Sequence, residues 1–214
     1  MINKLRALNF STDILPFTIA TLGEFGALYF WLYFLDQDRF ILANIILWTG
    51  FGVERVAVYL WIRFIYRTKE GITVPPSFLA VFFGLLFITL SEVLIWIVWL
   101  SFADGKIAWA DHGFVNNTLL AGIALMLLMW IEHSVEMGAL RQKNPLLYFK
   151  KTSTIFFTFM EVIGAVGWLY FVRTDSPILG GFCLLIGLSV EHILQGSDLR
   201  PEEPSTEKPA KKAI

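Results

Sequence analysis

Apolar residues run along this chain in six long blocks, separated by short polar stretches. The blocks span approximately Leu15–Leu35, Phe40–Ile65, Pro76–Phe102, Phe114–Met137, Thr154–Val172 and Pro177–Gln195. Each is close to or above the roughly 20 residues that carry an α-helix across the hydrocarbon core of a bilayer. Ser11, Thr12 and Asp13 offer helix N-caps just ahead of the first block. That block carries Glu24 and no small-residue cleavage site follows it, so it reads as a retained helix and not a signal peptide. The pattern predicts an all-α integral membrane protein with six transmembrane helices. Residues 1–14 form a short N-terminal segment and 15–196 the membrane domain, with hairpins at about 15–66, 76–140 and 153–196. Residues 197–214, rich in Pro, Glu and Lys, are expected to be a disordered tail.

The hairpins repeat one another. Odd helices share Thr-x2-Glu-x6-Trp-Leu-[Tyr/Ser]-Phe, at Thr21, Glu24, Trp31 and Phe34, at Thr89, Glu92, Trp99 and Phe102, and at Thr158, Glu161, Trp168 and Phe171. Even helices share Leu-[Ala/Gly]-[Asn/Gly]-x2-Leu-x6-Glu-[Arg/His], ending at Glu54-Arg55, Glu132-His133 and Glu191-His192. Registered intramembrane glutamates point to a duplicated hairpin. Because each copy starts on the same side, the copies should be related by a pseudo-threefold axis along the membrane normal. In architecture this resembles the three-hairpin plan of mitochondrial carriers, but their signature Pro-x-[Asp/Glu]-x-x-[Lys/Arg] motif is absent from this sequence.

Helical spacing says which side chains share a face. Thr21, Glu24, Leu28 and Trp31 form one stripe, matched by Thr89, Glu92, Trp96 and Trp99 and by Thr158, Glu161, Ala165 and Trp168. On even helices the stripes are Ala43, Leu47, Gly50 and Glu54; Ala121, Leu125, Leu128 and Glu132; and Gly180, Leu184, Gly187 and Glu191. Small residues at these positions permit close helix approach. All six stripes are expected to face packed neighbours or a central cavity.

Charge sets the orientation. Thirteen Lys and Arg fall in the N-terminal segment, the second-to-third and fourth-to-fifth connections and the C-terminal tail; only Arg39, Lys106 and Arg173 fall on the opposite side. By the positive-inside rule both termini are expected in the cytoplasm. Hydrophobic residues make up 56% of the chain and charged ones 16%, against about 25% charged in soluble domains. A net charge of −1 argues against a nucleic-acid partner. A single cysteine, Cys183, excludes an internal disulfide. No nucleotide-binding loop, nucleophile elbow or zinc-protease motif is present, so the chain is not expected to be an enzyme.

The chemistry is concentrated in one layer. Glu24, Glu54, Glu92, Glu132, Glu161 and Glu191 should lie near mid-membrane, with Arg55, His133 and His192 beside the even-helix set. Six charged, unpaired glutamates in hydrocarbon would cost on the order of 15–20 kcal/mol, which exceeds the net stability of an ordinary protein. They must be protonated, paired or bound to a cation. Three positive groups against six negative ones still leave three carboxylates to be neutralised. The layer is therefore expected to move or relay protons or small cations. As a metal site the candidates are Glu132, His133, Glu136, Glu191 and His192, although neighbouring Glu and His project about 100° apart on a helix. His133 or His192 is also the candidate axial ligand for a haem or chlorin. The alternative reading is a non-catalytic subunit of a larger membrane complex, binding lipid, pigment or haem. Its glutamates would then only fix helix register, for instance by bonding the Thr one turn earlier. Partners under either reading are the lipid bilayer, further copies of the chain or other membrane subunits.

Overall fold

The computed structural model describes residues 15–68, 78–104, 113–141 and 143–199. They fold into α1 (Leu15–Leu35), α2 (Phe40–Thr68), α3 (Phe78–Ala103), α4 (Phe114–Arg141), a single turn α5 (Leu146–Phe149), α6 (Thr152–Arg173) and α7 (Pro177–Leu199). All but α5 are long and apolar enough to cross a membrane, the make-up of a multi-pass integral membrane protein. The proposed caps Ser11, Thr12 and Asp13 lie outside the described residues. The last helix runs to Leu199, past the expected start of the tail at 197. Asp198 holds it there: its carboxylate accepts a hydrogen bond from Ser153 and lies 3.0 Å from Lys151 Nζ.

Two turns show why the hairpins close where they do. Asp38 and Asp175 adopt the left-handed conformation, each at φ 59°. Asp tolerates this region better than most residues, because its short side chain can bond locally. Arg39 N then bonds Phe34 O at 2.9 Å and Ser176 N bonds Phe171 O at 2.8 Å. Both are the six-to-one bonds of a Schellman motif, which satisfy carbonyls left open at a helix end.

Helices pair within each hairpin, α1 with α2, α3 with α4 and α6 with α7. Between hairpins α2 packs on α3, α4 on α6 and α7 on α1, so every hairpin touches the other two. The surface is apolar and the charge is inside: Ile41, Phe83, Phe87, Ile123 and Ile178 are exposed while the repeat glutamates are buried. A lipid environment explains this inverted arrangement.

The second hairpin is packed less closely than the others. In the first, a Cβ on Gly23 would lie 3.0 Å from Gly50 O. In the third, a Cβ on Gly187 would lie 2.8 Å from Met160 O and 2.9 Å from Gly164 Cα. The second hairpin places Ile95 and Leu128 at the positions of Gly164 and Gly187. Leu128 is 38% exposed, so the expectation that it faces inward fails. Without glycine in that seam, the two helices stand apart and the leucine turns outward.

Candidate functional site

Four layers stack along the bundle. At the end away from α1's start and α7's finish, Arg173 at the tip of α6 bonds Asp36 at 2.6 Å and Asp104 at 3.1 Å, gathering all three hairpins. Beneath it Trp31, Trp99 and Trp168, Leu32, Leu100 and Leu169, and Leu47, Leu125 and Leu184 are all buried in one apolar cluster. The indole nitrogens of Trp96, Trp99 and Trp168 have no hydrogen-bond partner among the described residues. The charge layer follows. Below it Phe17, Trp61, Met137, Tyr148, Phe157 and Leu194 form a second apolar cluster at the end bearing α1's start and α7's finish. The charged layer is thus closed between two apolar floors.

Each of the three cationic positions meets the same set of repeat positions. Arg55 lies 3.3 Å from its own neighbour Glu54, bonds Glu92 of the next hairpin, and lies 3.9 Å from Glu132. His133 lies 3.8 Å from Glu132, 3.4 Å from Glu161 and 3.9 Å from Glu191. His192 lies 2.9 Å from Glu191, 3.8 Å from Glu24 and 3.7 Å from Glu54. The structure thus brings together every site residue read from the repeat: Glu24, Glu54, Arg55, Glu92, Glu132, His133, Glu161, Glu191 and His192. All are buried, none more than 6% exposed. Neighbouring Glu and His converge after all, because their side chains are long enough to bend toward one centre.

Two further residues join. Glu136 accepts from Arg55 through one oxygen and from Gln195 Nε2 at 2.6 Å through the other. They stand one turn after Glu132 and Glu191, where the first hairpin has Val58. The repeat hides Glu136 from the charge layer for that reason, although helical spacing puts it on the same face as Glu132. The register-fixing reading expected the threonines to bond the glutamates one turn on, and they do not. Thr89 donates to Leu85 O and Thr158 to Thr154 O, while Thr21 stands 3.3 Å from His192 Nδ1.

A small polar cavity lies at the centre, lined by Glu24, Glu54, Glu92, His133, Glu161 and Glu191 among others. The space open to the centre of a water-sized sphere is about 10 Å³, room for about one water or one small ion. Among the described residues Glu24 Oε1, Glu54 Oε2, Glu161 Oε2 and both Glu132 oxygens have no hydrogen-bond partner. No family model, curated protein or solved structure matches this chain.

Seven carboxylates face one guanidinium and two imidazoles. Even with both imidazoles protonated, four negative charges remain without a counterpart. Protons or bound cations are the remaining ways to balance them in a low-dielectric layer. Among the described residues three groupings have donor atoms within 4.8 Å of one another, close enough to share a metal ion: Glu132, His133 and Glu136; Glu24, Glu191 and His192; and Glu24, Glu54 and Glu92. The first two draw only on the metal candidates read from the sequence, with Glu24 added.

Proposed function

We propose that this protein is a multi-pass membrane protein that binds and relays protons or small cations through its buried Glu/His/Arg layer, with both termini in the cytoplasm. The observation that carries the reading is the charge imbalance in the layer that encloses a cavity of ion size: seven buried glutamates against three groups able to carry positive charge. A layer meant only to fix packing would be expected to pair its charges, because an unpaired buried charge is strongly destabilising.

The recurring contacts support a pseudo-threefold arrangement about the membrane normal. Asp36, Asp104 and Arg173 each stand twelve residues after the odd-helix glutamate of their hairpin. They meet at one end of the bundle. The orientation rests on the bias of Lys and Arg toward the side of the termini.

The test is reconstitution of the purified protein in liposomes, with an imposed cation or proton gradient and a pH-reporting dye inside. Flux that falls sharply in Glu132→Gln and Glu191→Gln supports the proposal. Absence of both flux and ion binding in the parent protein would overturn it.

The two apolar floors favour a second reading, a sealed layer inside a structural subunit of a larger complex. Isolation from native membranes with unlike subunits, and no flux from the purified chain alone, would support it.

A further inference from the structure

The hydrogen bonding around His133 says what kind of ion the layer takes. Thr158 donates its single hydroxyl proton to Thr154 O at 2.8 Å. With that proton on Thr154 O, the Thr158 oxygen, 2.8 Å from His133 Nδ1, is placed to accept from that nitrogen, which assigns the ring proton to Nδ1. In the neutral ring Nε2 is then left with its lone pair. Nε2 is surrounded by Glu161 Oε2 at 3.4 Å, Glu132 Oε2 at 3.8 Å and Glu191 Oε1 at 3.9 Å. These separations are too long for direct hydrogen bonds. Each is near the roughly 3.4 Å that separates two ligands 2.0–2.2 Å from a tetrahedral ion, and His133 already stands in a group, with Glu132 and Glu136, whose donor atoms all lie within 4.8 Å of one another. The longer two need to close by about half an ångström.

We propose that His133 Nε2, Glu161 and Glu191, with Glu132 from the same helix as the histidine, bind one divalent first-row transition-metal cation between α4, α6 and α7. The inference rests on reading the layer as a cation-handling site, and it names the ion class. Independent observations converge on the spot. Glu161 Oε2 and both Glu132 oxygens are buried without hydrogen-bond partners. His133, Glu161 and Glu191 line the water-sized cavity. Ligating histidines characteristically donate their second ring N–H to a fixed acceptor, and Thr158 supplies one here. Of the two other cationic positions, Arg55 carries a permanent charge, and the His192 Nε2 stands farther from the carboxylates across from it, 3.8 Å from Glu24 and 3.7 Å from Glu54. An imidazole among carboxylates suits Mn²⁺, Fe²⁺, Co²⁺ or Zn²⁺. Ca²⁺ and Mg²⁺ take oxygen donors, Ca²⁺ six to eight of them.

The experiment is metal analysis of the full-length protein in detergent after loading with Mn²⁺ or Zn²⁺ and dialysis against excess Mg²⁺ and Ca²⁺. The expected result is about one retained transition-metal ion per chain, lost in His133→Gln. Thr158→Val keeps every ligand and removes only the acceptor for Nδ1–H; it should weaken affinity about 10–100-fold. If His133→Gln does not fold, pulsed electron paramagnetic resonance of the Mn²⁺-loaded parent protein decides, through coupling to an imidazole nitrogen. No retained metal, metal without nitrogen coupling, or affinity unchanged in Thr158→Val would overturn the proposal. Proton or alkali-cation flux without metal binding overturns this inference alone and leaves the proposed function standing. Retained metal without any flux supports this inference and counts against transport.

Discussion

Arg55 on α2 donates to Glu136 on α4, and Gln195 on α7 bonds the other oxygen of the same carboxylate. One guanidinium thus joins the first two hairpins, and the carboxylate it holds reaches the third. It also bonds Glu92. Replacing it with Gln would leave both carboxylates in a buried layer without their charge partner. The expected loss is about 3–5 kcal/mol, the usual cost of removing one member of a buried ion pair. Thermal or denaturant unfolding in detergent measures this. Wild-type stability in Arg55→Gln would mean that the surrounding carboxylates are already neutral.

Gly187 and Leu128 hold the same repeat position but not the same environment. A Cβ on Gly187 would press on Met160 O and Gly164 Cα. Gly187→Leu should therefore force α6 and α7 apart, at about 1–3 kcal/mol. Leu128 is exposed, and Leu128→Ala should change stability by less than about 1 kcal/mol in detergent. Equal sensitivity at the two positions would contradict the looser packing of the second hairpin.

Arg173, Asp36 and Asp104 clasp the three hairpins at one end. The side chains are partly exposed, so the clasp is expected to be worth about 1 kcal/mol or less. The melting temperature of the parent should fall slightly with added salt, and that of Arg173→Gln should not. The exchange Asp36→Arg with Arg173→Asp should restore part of the difference.

Reporter fusions after Lys69, after Lys151 and at the C-terminus should all read cytoplasmic, as the distribution of basic residues requires. A signal from the opposite side at any one of them would contradict six spans with both ends inside.

Much of this was legible in the sequence because two periodicities coincide. Helical spacing put Glu24, Leu28 and Trp31 on one face, and all three are buried. The repeat then carried the same facing to Glu92 with Trp99 and to Glu161 with Trp168. Glu136 was harder to place: it stood out only as a metal candidate, because its repeat equivalents Val58 and Gln195 do not share its charge. Leu128 departs from its stripe because equal spacing implies equal packing only where the residue opposite is equally small. Opposite Leu128 the chain has Ile95, not glycine or alanine. The clasp lies two residues past the end of the shared motif, and its change from Asp to Arg in the third copy hides the equivalence. Contacts between repeats need three-dimensional neighbours, which no one-dimensional register supplies.

The measurement that bears most directly on the central claim is ion movement by the purified protein in sealed liposomes, compared with Glu132→Gln and Glu191→Gln at matched folded content. Gln keeps the shape of the side chain and removes its capacity to hold a proton or a cation. The account predicts flux by the parent protein, reduced at least about tenfold in both variants, with an unaltered elution profile. Flux unchanged by both substitutions, or no flux and no ion binding by the parent, would contradict it.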